Sequence, residues 1–430
     1  MRDVVSKTGN TLLSSQRWQA RLLLWTAAIA VGAAAVGFAW LADMAHELLR
    51  RLIDIWPYWP LLLAPCGFLL IAWLTRRFFR GAEGSGIPQT IYALQPDSDE
   101  QTSRLMKPRV VLGRMGLACA GLFCGASVGR EGPTVHVGAA ISHQLARWFP
   151  HGDASAQQRM LILAGGAAGV AAAFNTPLAG IVFAIEELSR SFEERASGTT
   201  LTAVILAGIT AIALAGNYTY FGHPTGVTMT NSVSVAVLGL ALASGLAGGL
   251  FSRFTLSSAA GLPGTLGNLQ RQRPLIFALL CGMGVAMLGW LSGGLTYGTG
   301  YVEAKSIMEA NTSLPWLYAP ARALATLLSY LSGIPAGLLA PSLSVGAGFG
   351  QMFAELSHQA IVPFAILGMC GYLAGVTQAP LTSFVIVMEM TSQHQMVLPL
   401  MFTAALATTV SKLLSKPLYR TLASRYLDRQ

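Results

Sequence analysis

Charge is scarce in this chain of 430 residues: 28 Lys and Arg and 19 Asp and Glu make up only 11% of it. Soluble domains carry roughly 25%. A soluble enzyme of this length would need far more polar surface, and a disordered chain would be far less apolar than 53%. With a mean hydropathy of +0.53, the shortage of charge leaves an integral membrane protein. Cysteine is also sparse. The five (Cys66, Cys119, Cys124, Cys281, Cys370) lie in apolar segments and form no CxxC pair, which excludes a disulfide or zinc framework and reads as small buried residues. No metal or cofactor is expected. No cleavable signal is expected: about twenty mostly polar residues precede a first apolar run, 24–45, that is too long for a signal core.

What is present is a series of apolar stretches, at about 24–45, 59–75, 110–128, 161–185, 200–216, 232–251, 275–292, 317–331, 338–354, 361–376, 380–390 and 396–414. Several fall short of the roughly 20 residues that cross a bilayer. Glycine and proline interrupt them, as broken and re-entrant helices of transporters and channels require. The net charge of +9 is not one patch. It sits beside the apolar runs, at Arg17 and Arg21; Arg76, Arg77 and Arg80; Arg104, Lys107 and Arg109; and Lys412, Lys416, Arg420, Arg425 and Arg429. That distribution marks cytoplasmic loop ends, puts both termini in the cytoplasm and argues against nucleic-acid binding. Arg50 and Arg51 fit less well, but Glu47 and Asp54 flank them.

The chain repeats itself. GREGPTVHVGA (129–139) aligns with GLLAPSLSVGA (337–347) at an offset of 208, and 161–187 aligns with 364–390 at an offset of 203, matching Gly165 with Gly368, Pro177 with Pro380 and Glu186 with Glu389. Two halves follow: 20–216 and 232–415, with an N-terminal cytoplasmic segment 1–19, a polar linker 217–231 and a C-terminal segment 416–430. No soluble domain is expected between or after them. The residues alone leave open whether the halves are parallel or inverted; either way a shared midplane site is expected.

Three loop-to-helix breaks look alike: Gly84-Ser85-Gly86-Ile87-Pro88, Gly129-Arg130-Glu131-Gly132-Pro133 and Gly337-Leu338-Leu339-Ala340-Pro341. Glycine lets the backbone turn, and proline suits the first helical turn, where no N–H is needed. Each break presents a helix N-terminus, whose free N–H groups and positive dipole end favour an anion. Partial charges and hydroxyls release an anion more readily than a lysine would. Glu131 is a carboxylate at such a terminus. It is an anion itself, so it can occupy the same N–H groups and leave them on protonation, a proton-linked gate. Glu186 and Glu187 end the run AGIVFAIEE and suit a proton relay or an interfacial helix end; Glu389, alone at the matching place, suits a structural role. Gly125-Ala126-Ser127-Val128-Gly129 has the GxSxG spacing of a hydrolase elbow, but no strand surrounds it. Gly121, Gly125 and Gly129, spaced by four, read instead as a helix-packing stripe. His136 reads as a helix-face histidine.

GSGIP, GREGP, GLLAP and the late PLY resemble the CLC family of chloride channels and chloride/proton antiporters, in the right order from about 20 to 425. GREGPTV followed by AAAFNTPLAGIVFAIEE is the most specific part. The resemblance implies an all-α integral membrane fold of two inverted repeats of tilted, broken and re-entrant helices, in a homodimer with one pathway per subunit and apolar interface helices near 178–205 and 380–410. It implies chloride/proton antiport, with a passive chloride channel as the alternative, and a bacterial inner-membrane location. Position by position, it makes Ser85 and Tyr419 the hydroxyls on a central anion. The amides of Gly86, Ile87, Leu338 and Leu339 face that anion, and those of Arg130, Glu131 and Gly132 line an outer site. Glu131 becomes the external gating glutamate and Glu187 the internal proton glutamate, with Glu186 beside it for proton loading. Leu339 departs from the family, which often has Phe there. Ser85 argues against the fluoride-exporting branch, and the cytosolic regulatory pair of the family is not expected.

Overall fold

The computed structural model describes residues 15–95, 99–146, 148, 154–189, 198–216, 219–222, 224, 235–310 and 313–425. Most of the expected N-terminal segment, the linker apart from 219–222 and 224, and residues 426–430 lie outside them. The described chain is helical, without strands. The first half comprises α1 (Ser15–Ile55), α2 (Trp59–Phe78), α3 (Ile87–Ala93), α4 (Asp99–Leu105), α5 (Pro108–Phe123), α6 (Glu131–Ala146), α7 (Ala154–Phe174), α8 (Pro177–Phe183), which runs into a π-turn at Ala184–Leu188, and α9 (Gly198–Ala215). The second comprises α10 (Val235–Ala260), α11 (Gly264–Gln272), α12 (Pro274–Leu291), α13 (Tyr301–Ala310), α14 (Tyr318–Leu331), α15 (Leu339–Leu356), α16 (Ile361–Thr377), α17 (Pro380–Thr391), α18 (Val397–Leu414) and α19 (Leu418–Ser424).

Pro108, Pro177, Pro274 and Pro380 each occupy the first position of a helix, where the missing N–H costs nothing. Among the described residues six helices are long and apolar enough to span a bilayer: α1, α2, α9, α10, α12 and the 394–414 segment containing α18. Between them lie short helices such as α3, whose seven residues are all buried. A helix that ends at membrane depth needs protein around its free backbone groups, and α3 has it.

The packing is duplicated. α6 lies on α7 as α15 lies on α16, and α9 contacts α1 and α7 as α18 contacts α10 and α16. At the first pair a Cβ on Gly138 would collide with the Gly165 carbonyl; at the second, a Cβ on Gly346 would collide with the Gly368 carbonyl. These are equivalent glycines at the offsets of 208 and 203, and each pair lets two backbones touch. Gly129 and Gly337, also equivalent, pair antiparallel. A local twofold axis between them inverts one half on the other.

Two sequence expectations need correction. α5 ends at Phe123 and Gly125 adopts φ +86, so Gly121, Gly125 and Gly129 do not share a helix face; the chain turns and runs extended toward Gly129. Cys66 is exposed and Cys119 half-buried, and only Cys124, Cys281 and Cys370 are buried; all five are free thiols.

Candidate anion site

The three glycine breaks converge. Gly84 pairs with Pro335, its amide donating to the Ile334 carbonyl at 3.2 Å while the Ala336 amide donates to the Gly84 carbonyl at 3.0 Å. The Gly129 amide donates to the Gly337 carbonyl at 2.8 Å. Two bridges therefore gather the starts of α3, α6 and α15 at one point. Gly86 precedes α3 at φ +96, and a Cβ there would lie 2.7 Å from Arg114 Nη1 and 2.9 Å from the Gly132 carbonyl. Only glycine satisfies both the left-handed backbone and the close approach of α6.

The first loop is held from behind by a buried cation. Arg114, fully buried on α5, donates to the carbonyls of Gly81 at 2.8 Å and Gly84 at 3.1 Å. Arg322 on α14, at the same offset of 208, donates in the same way to the carbonyls of Leu295, Tyr297 and Gly298. Guanidinium donors spread over several carbonyls make such burial tolerable.

Ser85 is 1% exposed and its hydroxyl has no hydrogen-bond partner among the described residues; Tyr419, at 0%, has none there for its hydroxyl either. α19 packs on α3, which brings Tyr419 to the loop that carries Ser85. Leu338 and Leu339 are buried at the start of α15. Buried polar groups are normally satisfied, so two orphaned hydroxyls beside helix N-termini form a donor set suited to an anion.

Glu131 opens α6 and is completely buried. Its carboxylate faces the backbone N–H of Ala340 on α15. Oε1 is reached by the Tyr220 hydroxyl at 3.4 Å, while Oε2 has no hydrogen-bond partner among the described residues. Tyr220 belongs to the stretch expected as a linker and was not singled out in the sequence. It packs edge-on against Phe174 and Tyr301, a contact that no local pattern announces. The Arg130 side chain turns away from the site to Asp43 Oδ1 at 2.7 Å and the Ala39 carbonyl at 2.9 Å.

Glu187 lies on the π-turn after α8, buried, with Oε1 unpartnered among the described residues. It shares a cavity of about 10 Å³ with Tyr419, Leu339, Phe183, Thr377 and Thr382, roughly the space of one water. Tyr419 is within electrostatic range of both Glu187 and Glu131. Glu186 points elsewhere: it accepts the Leu381 and Thr382 amides at 3.1 and 2.6 Å. Ser127 of the GASVG run bonds Thr326 Oγ1 at 2.8 Å, in no strand–turn–helix elbow. His136 is fully buried on α6, close to Gly86 and within electrostatic range of Arg114. Among the described residues no group of three His, Cys, Asp or Glu could hold a metal ion.

Residues 67–412 match the family described as voltage gated chloride channel. The chain belongs to this family. The CLC fold extends to solved structures at low identity. A slow cyanobacterial Cl⁻/H⁺ antiporter is 24% identical, with a TM-score of 0.81 over 95% of this chain and 98% of its own. A CLC-type fluoride/proton antiporter is 22% identical, with a TM-score of 0.79 over 93% and 96%. A eukaryotic CLC transporter is 22% identical, with a TM-score of 0.73 over 95% of this chain and 75% of its own. As a CLC protein, this chain is an all-helical membrane protein of two inverted repeats, and the glycine breaks that meet at Ser85, Glu131 and Leu339 lie where its halves join.

Proposed function

We propose that this CLC protein exchanges chloride for protons across the membrane. The observation that carries the reading is Glu131: a wholly buried carboxylate, one oxygen unpartnered among the described residues, between the starts of α6 and α15. A chloride ion is held by the Ser85 and Tyr419 hydroxyls and by the amides of Gly86, Ile87, Leu338 and Leu339. The amides of Arg130, Glu131 and Gly132 form the outer position, where the Glu131 carboxylate and a mobile anion exclude one another. Protonation removes the negative charge from Glu131, frees those amides and lets the anion pass. Glu187 hands protons toward Tyr419 through the small cavity between them. The Glu186 carboxylate is engaged by two amides, which suits anchoring better than proton loading.

The same-fold antiporters support exchange over passive conduction, as does an acid at Glu187. A passive channel is the second reading, favoured by Leu339, which leaves the inner path without the ring often found there. Arg76, Arg80, Arg271 and Arg425, which line one open cavity, support a cytoplasmic placement of that face, in a bacterial inner membrane with both termini inside. Leu178 and Leu381, repeat equivalents on α8 and α17, are each 48% exposed; with Ile205, Ile209 and Met401 they offer an apolar face for a homodimer. The test of the relay is Glu187→Gln in proteoliposomes: chloride movement persists and proton movement stops. Unchanged proton flux removes Glu187 from the path.

A further inference from the structure

Below the Ser85 loop opens a vestibule of about 750 Å³. A single halide needs a small fraction of that; the volume lies in the range of roughly 300–1,000 Å³ that encloses small organic molecules. Four arginines line it, brought together from distant parts of the chain: Arg76 and Arg80 at the end of α2, Arg271 on α11 and Arg425 after α19. Among the described lining residues the one acid is Glu83, and its carboxylate is turned to the Gly81 amide at 2.7 Å. Arg80 donates to the Arg76 carbonyl, Arg271 to Asn268 Oδ1 and Arg425 to the Leu256 carbonyl.

We propose that this vestibule binds a triphosphate group, free or on a nucleoside, and that the bound group closes the approach to Ser85. Planar guanidinium forks match phosphate oxygens two at a time. Several cations around one concave space raise the local concentration of a multivalent anion far more than that of chloride. Gly84, Ser85 and Pro88 line the same cavity, so an occupant stands on the anion path. Only this last consequence rests on the exchange reading; binding itself does not.

Calorimetry on the purified full chain, titrated with tripolyphosphate, tests the site whether or not the protein moves chloride. Saturable binding that weakens with salt and falls about tenfold or more in Arg80→Gln/Arg271→Gln is expected. Arg77→Gln/Arg273→Gln removes the same charge from neighbours that do not line the vestibule, and retains wild-type binding. Equal loss in both double variants, or no saturable binding in the wild type, overturns the proposal by assigning the effect to general surface charge or to nothing. ATP in place of tripolyphosphate separates the sources: comparable binding assigns the triphosphate group, and binding of ATP alone overturns it. In proteoliposomes, tripolyphosphate slows chloride flux from the vestibule side only, each variant being referred to its own flux without phosphate; equal inhibition from both sides contradicts the placement.

Discussion

Glu186 and Glu389 cap each other's helices. Glu186, on the π-turn that follows α8, accepts the Leu381 and Thr382 amides at the start of α17. Glu389, near the end of α17, accepts the Leu178 and Ala179 amides at the start of α8, at 3.2 and 2.8 Å. Pro177 and Pro380 leave these as the first free N–H groups of their helices, and each carboxylate neutralises a positive dipole end. The exchange is the local twofold axis expressed in side chains, and it locks α8 and its π-turn, which carries Glu187, to α17.

Losing either cap leaves two donors orphaned. Glu186→Ala and Glu389→Ala should each cost about 1–2 kcal/mol, seen as a lower apparent melting temperature of the detergent-solubilised protein. Gln, still an acceptor, should recover part of it. A wild-type melting temperature in both Ala variants would show that the caps carry no stability.

Tyr220 holds Glu131 by a long hydrogen bond, a contact worth about 0.5–1 kcal/mol. Carboxylate and chloride exclude one another at the α6 amides, so Tyr220→Phe should lower the apparent KM for chloride about two- to fivefold. An unchanged KM would mean that the tyrosine acts only through packing.

Leu339 borders the small cavity beside Tyr419 and Glu187. A phenylalanine there overfills a tight site, at roughly 1–3 kcal/mol, and narrows the inner path. Leu339→Phe should slow chloride turnover severalfold while proton movement stays coupled to it. Faster chloride movement would place the narrow point elsewhere.

The glycine breaks were legible in the sequence because turn and helix-start chemistry is local, and the two halves because Gly129 and Gly337 occur in the same pattern twice; their inversion was not, since a repeated pattern carries no orientation and only the antiparallel Gly129–Gly337 pairing displays it. Glu186 and Glu187 were not separable, since adjacent residues on one turn point in different directions and only packing decides which meets an amide. Tyr220 carried no signal beyond a lone tyrosine in a polar stretch; its place depends on contacts with α7 and α13. Arg114 and Arg322 did carry one, as arginines in apolar helices at the repeat offset of 208. The stripe of Gly121, Gly125 and Gly129 misled because spacing by four implies a face only where the helix continues, and α5 stops at Phe123.

The most direct measurement is chloride efflux from proteoliposomes loaded with high chloride and held at equal pH inside and out, with internal pH recorded at the same time. The account predicts that chloride leaving draws protons inward and acidifies the interior, and that Glu131→Gln keeps the efflux and abolishes the acidification. Chloride efflux from the wild type with no change in internal pH would contradict exchange and make this protein a chloride channel.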